Sequence, residues 1–160
     1  MGITQRPHGQ SVTDGDLRWS TLFYYDHAAG SVLRPRNSSV EWVATNDGGC
    51  VYLSSGSPLT LLNLHLDIPD GVRIDYLRIY YYDTSASNSI AYITRYDDAG
   101  GFEDVTRVYS DGHTGYGTQV STKVLHVVDN VNYSYVLNWR PYDASSSMAL
   151  CGLRVAYRLP

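Results

Sequence analysis

Residues 73–83, RIDYLRIYYYD, alternate side chains with a period of two, and a run of Ile, Leu and Tyr at that spacing is hard to sustain in anything but a β-strand. The turn-like Ile68-Pro69-Asp70-Gly71 sets the strand off. Its phase puts Leu77, Ile79 and Tyr81 on one face and Ile74, Tyr76, Arg78, Tyr80 and Tyr82 on the other. A face of tyrosines with an arginine is unusual as plain solvent surface, so a loop, a neighbouring subunit or a ligand is expected to cover it.

Similar patterns recur along the chain. LRWSTLFYYD (17–26) reads as a first strand, VEWVAT (40–45) and CVYLSS (50–55) as a hairpin around the NDGG turn, and LTLLNLHLDI (59–68) as a half-buried strand with Leu62, Leu64, Leu66 and Ile68 inward. SIAYITRYD (89–97), FEDVTRVYS (102–110) and GTQVSTKVLHVVD (117–129) follow. YSYVLNWR (133–140) aligns Tyr133, Tyr135, Leu137 and Trp139, and MALCGLRVAYRL (148–159) aligns Cys151, Leu153, Val155 and Tyr157 against Gly152, Arg154, Ala156 and Arg158. No segment shows a 3.6-residue apolar stripe. The expectation is an all-β chain, a two-sheet antiparallel sandwich of jelly-roll or Greek-key type. Residues 1–20, polar and turn-rich, read as an N-terminal arm, and 21–160 as one domain.

The 160 residues carry 15 Tyr against 2 Phe, and a formal net charge of −4. Tyrosine buries a ring while its hydroxyl stays bonded or solvated, which suits strand surfaces, interfaces and sugar contacts. Lys123 is the single lysine, and arginine in place of lysine suits planar hydrogen bonding and stacking on tyrosine. The scattered basic residues make no phosphate-binding stripe, so nucleic acid is not an expected partner. No apolar run reaches the roughly eighteen residues of a membrane span, and MGITQRPHGQ lacks the apolar stretch of a secretory signal.

Cys50 and Cys151 both lie in strand-like settings, as a disulfide or as two buried thiols. Four phrases taken together, IPDGVRIDYLRIYYYDT, HVVDNVNYSYVLNWRP, the Gly-Cys at 49–50 and LCGLRVAY, resemble an uncharacterised family of bacterial secreted or surface β-sandwich proteins. The likeness runs from about residue 34 to 157, most of the chain. It implies an extracytoplasmic setting, at the cell or particle surface, and a Cys50–Cys151 pairing, and it brings no established reaction.

Catalytic patterns are missing. LSSGSP (53–58) lacks the Gly-x-Ser-x-Gly frame of a nucleophile elbow. His8, His27, His65, His113 and His126 show no metal-ligand spacing, and His65 and His126 are expected to face solvent. The acidic run YDDAGGFED has the oxygen density of a Ca²⁺ loop without its order, and reads as turn chemistry. The paired acids of a glycoside hydrolase stand in no evident groove strand. No enzyme activity, cofactor or metal is expected.

Two binding roles follow. The first is a structural, extracellular, self-assembling subunit of a filament, surface layer or phage-like appendage, with residues 17–26 donated as a strand to a neighbour's sheet edge. Leu17, Trp19 and Phe23 would make that contact on one side, and Tyr76, Arg78, Tyr80 and Tyr82 on the other. The second is carbohydrate binding, in which tryptophans and tyrosines form a platform for sugar rings. Trp42 and Trp139 fall in core phase, which leaves Trp19 as the exposed candidate.

Overall fold

The computed structural model describes residues 18–45, 48–112 and 114–160. The described chain is an antiparallel two-sheet β-sandwich of jelly-roll type. Its strands are β1 (Tyr24–Ala29), β2 (Arg34–Pro35), β3 (Glu41–Ala44), β4 (Val51–Ser55), β5 (Leu62–His65), β6 (Arg73–Asp83), β7 (Ile90–Tyr96), β8 (Phe102–Tyr109), β9 (Gly115–Val120), β10 (His126–Val127), β11 (Ser134–Arg140) and β12 (Met148–Arg158). A seven-stranded sheet runs β10-β6-β12-β4-β3, with β1 added to β12 and β9 to β6. A five-stranded sheet, β2-β5-β11-β7-β8, packs against it.

The expected inward residues make the core. Leu77, Ile79 and Tyr81 of β6 meet Leu62, Ile93, Leu137 and Trp139 from the facing sheet, together with Leu150, Leu153 and Val155 of β12. Burying so many large side chains at about 25 cal/mol per Å² is the main force holding the two layers together. Trp139 is fully buried, as its phase predicted. Trp42 is not: it stays 40% exposed on β3, an edge strand whose residues are all exposed. An edge strand at the rim has no layer behind it, so core phase alone does not bury its residues.

Two β-bulges change the phase of the central pair. β6 and β12 share a long antiparallel register that slips at Ala156/Tyr157, where Tyr76 pairs with Ala156 and Ile74 with Tyr157, leaving Asp75 as the extra residue. An extra residue turns the strand over by one position. Ile74, expected beside the tyrosines, is therefore buried in the core. Asp75 is buried as well: Arg73 Nε and Nη2 donate to its two carboxylate oxygens at 2.7 and 3.0 Å, and Arg158 ion-pairs with it at 2.9 Å. The second bulge, between Leu150 and Gly152, lies at Cys151. It lets Leu150 and Leu153 both face the core while Ala149 and Gly152 both face out.

Cys151 is joined to Cys50, closing a separation of 101 residues. The Ile68–Gly71 turn forms as expected, with Gly71 at φ 76°, the left-handed region that glycine tolerates best. The NDGG turn includes residues 46 and 47, which lie outside the described residues, but the flanking β3 and β4 pair as a hairpin.

The first and ninth strands differ from expectation. Ser20 N–H donates to Leu159 C=O at 2.8 Å, and the chain turns before β1 begins at Tyr24. β1 then pairs along β12 from Tyr24↔Tyr157 to Ala29↔Gly152, inside the chain's own sheet. The segment expected to be donated to a neighbour is used at home; Leu17 lies outside the described residues. The run 117–129 is likewise two short strands, because between them Ser121 Oγ accepts from Leu77 N–H (3.0 Å) and Leu125 takes a positive φ of 59°.

Candidate functional site

The outer face of the seven-stranded sheet is built in rows across its strands. Tyr25, Ala156 and Tyr76 make one row; His27, Arg154, Arg78 and Val120 the next; Ala29, Gly152, Tyr80 and Thr118 a third; Ala149, Tyr82 and Tyr116 a fourth. Down the middle, β12 contributes the small residues Ala156, Gly152 and Ala149, while rings stand on either side. The result is a groove whose floor of small residues is interrupted by Arg154, between aromatic walls. Its floor cannot easily grow, because a Cβ at Gly152 would lie 3.0 Å from His27 Nε2 and 3.2 Å from Ala28 O.

Toward the β1 start the groove holds a cavity of about 280 Å³, lined by Phe23, Tyr25, Tyr76, Arg78, Val120, Arg154 and Ala156. Near the other end lies a smaller one of about 150 Å³, lined by Tyr52, Tyr82, Tyr116, Ala149, Cys50, Thr45 and Ser146. Arginines and rings interleave along this face. Arg158 sits 4.2 Å from the Phe23 centroid, and Phe23 packs 6.0 Å from Tyr76. Arg154 lies over Tyr25 at 4.9 Å and Tyr80 at 5.6 Å, and the Tyr80 ring packs tilted against His27 with centroids 5.5 Å apart. Tyr82 and Tyr116 meet edge-on at 5.0 Å. Cation–π contact holds a guanidinium flat on a ring while its N–H edge stays free to bond.

Most contact residues expected from sequence lie on this face. Phe23, Tyr76 and Arg78 line the larger cavity, Tyr82 the smaller one, and Tyr80 the stretch between. Trp19 is half-buried at the far end, with the Arg73 guanidinium 5.1 Å from its ring, so it is a stacked end-piece rather than a free platform. Tyr25, Arg154 and Ala156 were missed. Arg154 and Ala156 were legible as one face of β12, but Tyr25 joins them only because β1 starts later than expected and pairs with β12.

The rest of the surface is less suited to a sugar ring. The outer face of the five-stranded sheet bonds to itself: Asn138 Nδ2 donates to Thr94 Oγ1 at 3.0 Å, and Thr94 to Asp104 Oδ1 at 2.8 Å. Beside them burial pushes the Tyr92 hydroxyl up to about 12, and Arg140 bonding holds the Tyr142 hydroxyl down. A cavity of about 610 Å³ opens between the sheet edges at β8 and β9, lined by Asn88, Arg107, Ser110, Asp111 and Gln119 with Tyr109 as its single ring. In the acidic loop Asp97 Oδ1 accepts from Ala99 N–H at 3.0 Å and Gly101 N–H at 2.7 Å, which is turn chemistry. No group of three or more His, Cys, Asp or Glu is arranged for a metal among the described residues. His65 is exposed as expected, but His126 is half-buried, its Nε2 2.9 Å from the Tyr135 hydroxyl.

No family model and no curated protein matches the chain. Solved structures do. The C-terminal CBM6 of the laminarinase LamC from Zobellia galactanivorans is 12% identical over 82% of this chain and 98% of that one, with a TM-score of 0.52. The GH26-CBM35 β-(1,4)-mannanase of Podospora anserina is 8% identical over 85% of this chain and 28% of its own, also at 0.52. The isomalto-dextranase of Arthrobacter globiformis T6, complexed with panose, is 13% identical over 82% of this chain and 23% of its own, again at 0.52. The chain thus spans nearly all of the first and about a quarter of the other two. The expected filament, surface-layer or appendage subunit is corrected accordingly: the strand meant for a neighbour pairs within its own sheet, and the proteins sharing the architecture are a carbohydrate-binding module and carbohydrate-active proteins. At these identities the likeness is one of fold, the two-sheet β-sandwich.

Proposed function

We propose that this chain is a carbohydrate-binding module that takes a glycan along the outer groove of its seven-stranded sheet and carries out no reaction on it. The observation behind this reading is the row of half-exposed rings, Phe23, Tyr25, Tyr76 and Tyr80, interleaved with arginines over a floor of Ala156 and Gly152. Sugar rings present apolar C–H faces that stack on aromatic side chains, and equatorial hydroxyls that bond to guanidinium and phenol groups. Two cavities in line on one face suit a chain of sugars better than a single one. The shared fold with a CBM6 supports the same reading. The Cys50–Cys151 bond fits work outside the cytoplasm, where such bonds persist and where polysaccharides are met.

Affinity electrophoresis through gels containing a panel of polysaccharides tests it. At least one should retard the protein, and Tyr76→Ala should weaken that interaction about fivefold, the loss of a stacking contact worth on the order of 1 kcal/mol. Retardation by no glycan, or a Tyr76→Ala protein that folds and is retarded equally, would overturn the assignment.

A further inference from the structure

The groove contains an electrostatic imbalance that points to the kind of sugar it takes. Arg78 and Arg154 are direct partners across β6 and β12, both half-buried, both lining the larger cavity. Like charges directly opposite each other on neighbouring strands repel, and partial burial raises the cost of each. The other half-buried or buried sheet arginines among the described residues have acids or a hydroxyl to bond: Arg73 and Arg158 share Asp75, Arg95 has Glu103, and Arg140 donates to the Tyr142 hydroxyl at 3.3 Å. Arg78 and Arg154 have none. Neither makes an ion pair or hydrogen bond among the described residues, and no carboxylate lines the cavity between them. Ring faces at Tyr25 and Tyr80 compensate Arg154 only in part. The local concentration of cations stands out in a chain whose net charge is −4.

Resting on the glycan reading above, we infer that the ligand is an acidic polysaccharide, one whose sugars carry a carboxylate or a sulfate ester, with the anionic group held between Arg78 and Arg154. A guanidinium presents a planar fork of N–H donors that fits a carboxylate or an oxyanion through two parallel bonds, and charge-assisted bonds of this kind are about twice as strong as neutral ones. Two forks side by side, each free of an internal acid, would take one anion and relieve their mutual repulsion at the same time. Tyr76, Tyr25 and Phe23 would hold the ring that bears it.

Isothermal titration of the full chain with oligogalacturonate, dextran sulfate and uncharged dextran and xylan oligosaccharides, each at low and high NaCl, tests the inference. An acidic glycan should bind, weaken as salt rises, and lose about tenfold or more in affinity with either Arg78→Gln or Arg154→Gln. The stronger of the two acidic arms tells carboxylate from sulfate. Neutral oligosaccharides bound as tightly as acidic ones, or folded Arg78→Gln and Arg154→Gln proteins with unchanged affinity for the acidic glycan, would overturn the inference while leaving glycan binding intact. No heat from any glycan, acidic or neutral, would overturn the binding assignment itself. Melting curves of both variants establish that they fold, and having two keeps the test open if one does not.

Discussion

His126 shows how a single residue outside the groove links stability to pH. Its Nε2 faces the hydroxyl of Tyr135, which already accepts from Asp129 N–H at 3.1 Å. With Nε2 unprotonated the phenol O–H can donate to it, and a protonated imidazole has no acceptor left for that bond. Burial, aided by the nearby Arg95 charge, holds the imidazole below its ordinary 6.5. As pH falls below 6.5 the unfolded chain takes up this proton before the folded one does, so stability declines through that window and is restored above it. The urea midpoint should drop between about pH 7 and pH 5. His126→Gln should flatten part of that slope, and an unchanged slope in the variant would remove the assignment. Sequence alone placed His126 on the solvent side, since the residue reveals nothing about a partner on β11.

Among elements, β6 carries the most consequence. Its alternation was readable from Leu77 to Tyr82, and the structure keeps that phase. The bulge at Asp75 was not readable, because a bulge is a relation between two strands and leaves no mark on the period of one. It turns Ile74 into the core and puts a buried carboxylate beside Arg73 and Arg158. Removing one partner from a buried charge cluster leaves the others uncompensated. Asp75→Ala should cost about 3 kcal/mol of unfolding free energy, measured by urea titration. A loss below about 0.5 kcal/mol, the size of an ordinary surface change, would show that solvent already screens the cluster. Because Arg158 also donates to Ser20 C=O at 3.1 Å and lies over Phe23, the same change should loosen the β1 end of the groove.

At the scale of the whole molecule, Cys50–Cys151 ties the hairpin of β3 and β4 to the last strand across 101 residues. Cross-linking a loop of about 100 residues restricts the unfolded chain by roughly 4.7 kcal/mol in the chain-entropy view. For a domain of this size a loss of that order lowers the melting temperature by roughly 10–20 °C, at about 2–4 °C per kcal/mol. Calorimetry with and without reductant should show such a drop. A melting curve unmoved by full reduction would mean that the cross-link adds nothing to what the core and the strand pairing already supply.

The fold class, most strands and half of the groove follow from the sequence itself, because period-two alternation and the sidedness of β6 are local properties that survive in any sandwich. RIDYLRIYYYD marks both the fold and the aromatic face that matters most. What only the tertiary structure decided is which other residues share that face. Tyr25 reaches it through the pairing of β1 with β12, Arg154 meets Arg78 through the register of β12 on β6, and Ala149 joins the groove floor through the bulge at Cys151. Each is set by contact between strands far apart in the chain, where a shift of one residue moves every side chain to the other face, and no local pattern records that register.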